Sequence, residues 1–276
     1  MPTREQKYKT FQALHERAGA FVIPNPWDAG SAKILAALGF EALATTSAGC
    51  AFSLGYLDSA PEVTRELILA NAKSIVDATT IPVSADLQNG FGDAPEKCAE
   101  TIRLAASAGL AGGSIEDYSG DDKNPIYEFE FAVERVSAAA KAAHEANFFL
   151  TARAENYLHD RPDLDDTLRR LRAFADAGAD AVYAPGLTSL DDIRKICESV
   201  SKPVNVLAGL PGTHFSVEQL AAAEVKRISV GGALARAALG ALVRAAREVK
   251  DKHTFTFTGD ALPSAEVKRY LTDTKG

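Results

Sequence analysis

The hydrophobic and polar positions of the chain follow a repeated order: a helical stretch, a glycine and, a few residues later, a short apolar strand. The order is clearest in three stretches, which are A-A-L-G-F-E-A-L-A-T-T-S (36–47), A-S-A-G-L-A-G-G-S-I-E-D (106–117) and A-D-A-G-A-D-A-V-Y-A-P-G (175–186). Gly39, Gly109 and Gly178 can take the left-handed conformation that ends a helix. Each glycine therefore predicts a helix end just before a strand.

Further apolar runs bring the number of predicted strands to eight. They are F-V-I-P-N (21–25), T-T-I-P-V-S-A-D (79–86), F-F-L-T-A-R-A-E (148–155), V-S-K-P-V-N-V-L-A (200–208) and R-I-S-V-G-G (227–232). Helix-length segments separate the strands, which is typical of a closed parallel (β/α)8 barrel. An open doubly wound sheet is the alternative, but no G-x-G-x-x-G follows the first strand.

The helical segments carry their own start and stop signals. Residues 163–178 predict a helix with Asp163 as N-cap, Gly178 as stop and an apolar stripe on one face. A second helix is predicted to begin at Pro61, since proline is tolerated in a first turn. Residues 49–60 and 118–128 interrupt the order as long mixed loops, and in a barrel such loops cover the active site.

The last predicted helix runs from Ala233 to about Lys250 and completes the eighth unit. We therefore divide the chain into a barrel domain, 1–250, and a C-terminal extension, 251–276. The extension carries two phenylalanines in T-F-T-F-T and needs an apolar partner surface, either the barrel or a neighbouring subunit.

Composition excludes several classes of protein. The 276 residues are 46% hydrophobic and 24% charged, as in an ordinary globular domain, and the net charge of -7 with scattered basic residues argues against nucleic-acid binding. Cys50, Cys98 and Cys197 have no C-x-x-C spacing, so they predict neither a disulfide framework nor a thiolate zinc site. Residues 1–20 do not resemble a signal peptide, and no apolar run of about 18 residues predicts a membrane span. The sequence predicts a cytoplasmic protein with no membrane contact.

Polar side chains follow the ends of six predicted strands. They are Thr45, Thr46 and Ser47, then Asp86 and Gln88, Glu116 and Asp117, Arg153 and Glu155, Tyr183, and Asn205. In a parallel barrel these strand ends meet on one face, so several acids should surround Arg153. Buried carboxylates need partners, and they either pair with the arginine or hold a hard cation such as Mg²⁺.

The stretch T-T-S-A-G-C (45–50) places small residues directly after a strand. Backbone N–H groups in such a turn can point at a developing oxyanion. Together with the acids and the arginine, this stretch favours a site that binds a small anionic carbonyl compound and stabilises an enolate.

Five segments at their particular spacing resemble the isocitrate lyase / phosphoenolpyruvate mutase superfamily over nearly the whole chain. They are N-P-W-D-A-G-S-A (25–32), T-T-S-A-G (45–49), P-V-S-A-D-L-Q-N-G-F-G (82–92), S-I-E-D (114–117) and T-A-R-A-E (151–155). The resemblance implies a barrel, Mg²⁺ with Mn²⁺ as an alternative, and cleavage or formation of a C–C or P–C bond through a 2-oxo acid or enolate. It also implies a homodimer or homotetramer in which the last helix packs on a neighbouring barrel.

The resemblance assigns expected roles to individual residues. Ser47, Ala48 and Gly49 match the segment that binds the substrate carboxylate and oxyanion, and Arg153 matches the arginine that neutralises the substrate. Asp58 matches an acid of the loop after the second strand. The metal residues would be Asp86, the principal carboxylate, and Glu116, which often reaches the metal through water.

Two departures from the family pattern are visible. The second acid of D-x-D-x-G-[YF]-G is replaced by Gln88, which keeps an oxygen for a water-mediated metal contact but removes a charge. The lyases carry K-K-C-G-H or K-R-C-G-H in the gating loop, and its cysteine supplies a proton, whereas residues 118–128 contain no cysteine or histidine. Tyr118, Tyr127 and Lys123 are the candidates from this loop, although packing or solvation explains each of them as well.

Asn205 of the seventh strand and His214, which follows that strand, complete the candidate substrate site. We interpret the chain as a Mg²⁺-dependent lyase or hydrolase that cleaves a C–C bond of a small 2-oxo acid, with decarboxylation of an oxaloacetate-like acid as the simplest version. P–C chemistry on phosphonopyruvate or phosphoenolpyruvate is the first alternative. A 2-oxo-acid-binding protein with lost catalysis is the second.

Overall fold

The computed structural model describes residues 2–272 and contains eight parallel strands in one sheet. The strands are β1 (Phe21–Ile23), β2 (Leu43–Ala44), β3 (Val83–Asp86), β4 (Gly112–Glu116), β5 (Phe149–Arg153), β6 (Ala181–Tyr183), β7 (Val204–Leu207) and β8 (Arg227–Ser229). Their order is β1-β8-β7-β6-β5-β4-β3-β2. The remaining gap lies between β1 and β2, where the Ala44 N–H donates to the Pro24 carbonyl at 3.0 Å. The predicted barrel of TIM type is confirmed, as a nearly closed sheet.

Helices alternate with the strands and form the outer layer. They are α1 (Arg4–Glu16), α2 (Ala29–Ala37), α3 (Ser47–Ser53), α4 (Arg65–Ala78), α5 (Pro95–Ser107), α6 (Phe129–Glu145), α7 (Leu164–Asp176), α8 (Leu190–Ser199), α9 (Val217–Ala222), α10 (Ala233–Arg247) and α11 (Ser264–Thr272). Short 3-10 turns lie at Asn156–His159 and Thr256–Gly259, and a wide turn at Glu248–Lys252 continues α10. Within residues 2–272 no helix is both long and apolar enough to span a bilayer.

Helices end next to the three glycines that were predicted as stop signals. Gly39, Gly109 and Gly178 have φ values of 91°, 95° and 105°, in the left-handed region that glycine adopts without strain. The Asp163 side chain accepts the Asp166 N–H at 2.9 Å, so α7 begins and ends at the predicted signals. The prediction of these boundaries is confirmed.

Two predicted segments differ from the structure. The helix expected from Pro61 begins at Arg65, because the Thr64 hydroxyl caps it by accepting the Leu67 N–H at 3.3 Å. Residues 49–60 are not loop throughout, since α3 extends to Ser53 after the Thr46 hydroxyl accepts the Gly49 N–H at 3.2 Å. A Cβ at position 49 would lie only 2.9 Å from the Cβ of Trp27. Glycine has no Cβ and therefore lets α3 pack closer to Trp27 than any other residue would.

The strands separate an apolar layer from a polar barrel interior. Alternate residues such as Val83, Ile115 and Leu150 pack against the helices in the main core. The opposite positions carry buried polar groups, which are Ser84, Ser114, Thr151, Asn205, Arg227 and Ser229. Helix α1 closes the N-terminal end of the barrel through Phe11 and Leu14. The polar interior is therefore open only towards the carboxyl ends of the strands.

Candidate active site

A cavity of about 210 Å³ lies at the carboxyl ends of the strands. Its walls include six of the predicted site residues, which are Ser47, Ala48, Asp58, Asp86, Arg153 and Asn205. Sheet register places Asp86 beside Ser114 and Glu116 beside Arg153, so the three ionic strand ends are neighbours. The candidate site is thus on the face where a parallel barrel places its chemistry.

Arg153 is surrounded by three carboxylates. Its Nη1 lies 3.0 Å from Asp86 Oδ1, its Nη2 3.2 Å from Glu116 Oε2 and its Nε 2.7 Å from Glu155 Oε1. The Arg153 side chain is 13% exposed and that of Glu155 is 2% exposed, so solvent screens these pairs poorly. The three carboxylates therefore carry more negative charge than one guanidinium can neutralise.

The excess charge alters the protonation of this group. Burial raises the pKa of Glu116 well above its ordinary value, and the charges of Glu155 and Asp86 add to the effect while Arg153 opposes it. Burial acts against the charged form of Arg153, but the surrounding acids, Glu155 first, hold its pKa well above the ordinary value. The arginine stays charged, and the acids compete for it.

Ser47 joins two acids on the other side of the cavity. Its hydroxyl lies 2.8 Å from Asp86 Oδ2 and 3.1 Å from Asp58 Oδ2, and its N–H donates to Asp86 at 3.2 Å. One hydroxyl hydrogen serves only one carboxylate at a time. Burial, followed by the charge of Asp86, raises the pKa of Asp58 to about 6.

Gln88 contacts the same acid. Its Nε2 lies 3.3 Å from Asp58 Oδ1, so the amide donates to the carboxylate, and the backbone has a φ of 48°. An aspartate at position 88 would repel the Asp58 carboxylate, whereas the Gln88 amide donates a hydrogen bond to it. The role of Gln88 as a metal residue stays a prediction.

Asp117 points away from the cavity, unlike its neighbour Glu116. It pairs with Arg170 at 3.1 Å and accepts the Glu155 N–H at 2.8 Å. Asp117 thereby fixes the backbone of the residue that binds Arg153 Nε. Of the two acids that end the S-I-E-D segment, Glu116 contacts the ionic group of the site.

The turn after β3 is held by a buried arginine of α6. The Arg135 guanidinium donates to the carbonyls of Asn89, Gly92 and Asp93, with 2.7 Å to Gly92. Its side chain is nearly inaccessible, and the Tyr127 ring lies 4.3 Å from the guanidinium carbon. Arg135 therefore positions the turn that carries Asp86 and Gln88.

Replacing Arg135 by methionine is expected to lower the free energy of unfolding by about 3 kcal/mol or more, because several buried carbonyls lose their donor. Urea denaturation measures the change. Arg103→Met is the matched control, since Arg103 is exposed on α5 and should change stability by less than about 0.5 kcal/mol. Equal unfolding curves for Arg135→Met and the control would contradict the anchoring role.

The candidates of the 118–128 loop do not line the cavity walls described above. The Tyr118 ring stacks on His159 at 3.9 Å between centroids, and its hydroxyl lies 3.3 Å from Asp122. Lys123 is exposed, and the Tyr127 hydroxyl donates to Asp93 at 2.6 Å. Catalytic roles for Tyr118 and Lys123 stay predictions, and they would need the loop to move.

Other predicted residues have varied positions. His214 is exposed in the loop after β7 and is not among the cavity walls, so its role stays a prediction. The Gly49 N–H is bound by the Thr46 hydroxyl, while Ala48 faces the cavity. The Gly231 N–H donates to Asn25 Oδ1 at 2.9 Å and is therefore engaged within the protein.

Sequence reasoning did not single out Arg227 and Ser229. Both line the cavity and are buried, and Arg227 Nε donates to Asn205 Oδ1 at 2.9 Å. The available signal was the alternation R-I-S at the start of β8, where the two polar residues share one face of the strand.

Comparison with known proteins agrees with this geometry. The profile of the family described as phosphoenolpyruvate phosphomutase matches residues 11–250. The chain belongs to this family. The match covers every strand of the barrel and the helices up to α10, so the superfamily resemblance of the sequence motifs is confirmed.

Individual relatives include proteins with different reported chemistry. A crystal structure from Burkholderia cenocepacia J2315, of a protein provisionally described as a lyase/mutase, is 55% identical with a TM-score of 0.94 and covers 98% of this chain and 96% of that one. The 2-methylisocitrate lyase of Escherichia coli (strain K12) is 28% identical over 79% of this chain and 75% of its own length. A crystal structure of 2,3-dimethylmalate lyase is 25% identical with a TM-score of 0.85, covering 99% of this chain and 95% of that one. The family thus includes C–C lyases and P–C mutases.

Proposed function

We propose that this protein is a Mg²⁺-dependent enzyme that cleaves a C–C bond of a small 2-oxo acid through an enolate. The observation that carries the proposal is the set of three carboxylates, from Asp86, Glu116 and Glu155, around the single guanidinium of Arg153, with a fourth, Asp58, joined to Asp86 through the Ser47 hydroxyl. Such an excess of buried negative charge favours a bound cation. Two lyases among the relatives support C–C chemistry.

The donor set fits Mg²⁺ held largely by water. Among the residues that the structure describes, no group of three acids, histidines or cysteines is close enough to chelate a metal directly. Mg²⁺ keeps several waters and binds through one or two carboxylates, and Asp86 and Glu116 would be those residues, with Gln88 reaching a bound water. Mn²⁺ is the alternative with the same ligands. The cation would stabilise the negative charge that develops on the substrate oxygen.

The remaining residues would bind the substrate. Ser47 and Ala48 would contact the substrate carboxylate, and Arg153 would neutralise it, since all three border the same cavity. Asp58, whose pKa is raised by burial to about 6, would repel an anionic substrate less as the pH falls towards that value. This arrangement would place the enolate beside the groups that stabilise its charge.

The family name makes P–C chemistry on phosphonopyruvate the competing function. The Gly231 N–H, which in a barrel can serve a phosphate, is bound to Asn25. A 2-oxo-acid-binding protein without turnover is the other competitor, supported by Gln88 in place of an acid.

One panel separates these functions. The metal-free protein is given Mg²⁺ and, separately, oxaloacetate, methylisocitrate, isocitrate or phosphonopyruvate, and pyruvate or glyoxylate release is followed. We expect turnover of at least one C–C substrate. Turnover of phosphonopyruvate alone would replace the proposal by P–C chemistry, and binding without turnover would support the binding protein.

We also propose that the chain forms a homodimer or homotetramer in which α10 packs on a neighbouring barrel, with residues 251–276 as an extension of the 1–250 barrel. Leu242 on α10 is 63% exposed and Leu239 and Val243 are also exposed. Within one chain, α11 lies against α2, where Lys33 Nζ donates to the Leu271 carbonyl at 3.3 Å. Light scattering should give a mass of at least twice 29.2 kDa, and a mass of 29.2 kDa would contradict the proposal.

A further inference from the structure

Tyr183 ends β6 inside the candidate active site. It lines the cavity with an exposure of 8%, and its ring centroid lies 5.2 Å from the Arg153 guanidinium carbon. Sheet register pairs it directly with Arg153. The phenol is thus a hydroxyl group within the cavity, beside the arginine expected to bind the substrate.

A chain of hydrogen bonds leads from a buried arginine to this phenol. Arg227 Nε donates to Asn205 Oδ1 at 2.9 Å, and Asn205 Nδ2 donates to Ser229 Oγ at 3.0 Å. The Ser229 side chain is close enough to Tyr183 for its hydrogen bonding to lower the pKa of the phenol, against the larger and opposite effect of burial.

Arg227 fixes which group donates and which accepts in this chain of hydrogen bonds. A guanidinium only donates, so Asn205 must turn its oxygen to Arg227 and its nitrogen to Ser229. The Ser229 oxygen is then an acceptor, and its hydrogen is available for the Tyr183 oxygen. When the Ser229 hydrogen is given to the Tyr183 oxygen, the hydrogen of Tyr183 is left for a molecule in the cavity.

Arg227 is suited to hold this direction. It is buried, and its other partners are the neutral groups Thr151 Oγ1 at 2.9 Å and His15 Nε2 at 3.4 Å. Burial lowers the pKa of Arg227 to about 10, so it remains a cation at neutral pH. A buried cation bonded to neutral groups is costly, and the oriented hydrogen-bond chain gives it a function.

We propose that Tyr183 is the proton donor of this site and that Arg227, Asn205 and Ser229 are positioning residues that direct its hydroxyl to the substrate. The inference rests on the proposed C–C cleavage. It also explains how a site without a cysteine in residues 118–128 could protonate an enolate, since the hydroxyls of Tyr118 and Tyr127 bond to Asp122 and Asp93.

The substrate of this step is oxaloacetate. The bond between C3 and the departing carboxylate breaks, CO₂ leaves, and the electron pair remains on the three-carbon fragment as the enolate of pyruvate. The Tyr183 O–H proton moves to the enolate carbon, which gives pyruvate and a tyrosinate. Water returns one proton to Tyr183 when pyruvate leaves, and the hydroxide that forms passes to the solvent. Burial raises the pKa of Tyr183 to about 12, so the phenol is protonated before each turnover.

Tyr183→Phe removes the hydroxyl and keeps the ring against Arg153. With Mg²⁺ and oxaloacetate, we expect keto-pyruvate formation on the enzyme to fall by about 10²-fold or more, as for loss of a general acid. CO₂ release should fall less, and enolpyruvate should be detected transiently by its ultraviolet absorbance. Tyr8→Phe, on α1 at the closed end of the barrel, is the matched control and should equal the wild type.

Asn205→Asp tests the direction of the chain with almost no change of shape. Aspartate accepts from both Arg227 and Ser229, so Ser229 turns its hydrogen away from Tyr183 and Tyr183 must donate to Ser229 instead. We expect the thermal midpoint to be kept or raised by the new Arg227 pair, while keto-pyruvate formation falls about as far as in Tyr183→Phe. A purely structural role for Asn205 would leave this rate unchanged.

The outcomes distinguish the inference from the proposed function. An active wild type with a Tyr183→Phe variant of equal rate and no enol signal overturns the inference and leaves C–C cleavage standing. A wild type that cleaves none of the C–C substrates overturns both. An active wild type whose Tyr183→Phe variant releases enolpyruvate supports both.

Discussion

Asp86→Ala is expected to abolish turnover, with kcat/KM lowered by at least about 10³-fold, which corresponds to roughly 4 kcal/mol of transition-state stabilisation. Asp86 accepts the Ser47 N–H and hydroxyl and pairs with Arg153 at 3.0 Å. Its removal takes away the principal proposed Mg²⁺ carboxylate and releases both neighbours. Steady-state kinetics with the best substrate of the panel measures the loss.

Mg²⁺ binding gives a readout that does not depend on turnover. Addition of Mg²⁺ should raise the thermal midpoint of the wild type, because a ligand that binds the folded state stabilises it, and should leave that of Asp86→Ala unchanged. Asp77→Ala is the control, since Asp77 is an exposed acid of α4 paired with Lys73. Retained turnover and a retained Mg²⁺ effect in Asp86→Ala would mean that the cation binds elsewhere.

Arg153→Met is expected to have the second largest effect, on stability as well as on catalysis. It leaves Asp86, Glu116 and Glu155 close together without their guanidinium, and breaking a buried ion pair costs about 3–5 kcal/mol. We expect the free energy of unfolding of the metal-free protein, measured by urea denaturation, to fall by this amount. Turnover should be lost as well, since the substrate carboxylate loses its counter-charge.

The same variant makes a distinctive prediction about the cation. Because Mg²⁺ would replace part of the missing positive charge, its stabilising effect should be larger in Arg153→Met than in the wild type. Arg103→Met, at an exposed position of α5, should respond to Mg²⁺ as the wild type does. An Arg153→Met variant as stable as this control would contradict the charge balance described for the site.

The barrel was predictable because its signals are local. Gly39, Gly109 and Gly178 end helices for reasons contained in their own backbone, and the apolar runs that follow are buried strands. The predicted start of α4 at Pro61 is wrong because the Thr64 hydroxyl, three residues later, caps the helix. Residues 49–53 are mostly small and predict a loop, but in the structure they belong to α3, which packs against Trp27 at Gly49.

The candidate site was predictable as far as topology fixes it. Asp86, Glu116 and Arg153 end neighbouring parallel strands, so their proximity follows from the fold alone. The hydrogen-bond chain to Tyr183 was not predictable, because it depends on which side chains from β6, β7 and β8 meet across the barrel interior. The positions of the 118–128 loop residues could not be predicted either, since loop conformation depends on contacts such as the stacking of Tyr118 on His159.

The decisive measurement is the rate of CO₂ release from oxaloacetate in metal-free protein titrated with Mg²⁺, compared with a protein-free blank. We expect a protein-dependent rate that is absent in EDTA, saturates with Mg²⁺ and is lost in Asp86→Ala. A rate equal to the blank at every Mg²⁺ concentration, or one equally fast in EDTA, would contradict Mg²⁺-dependent decarboxylation at this site.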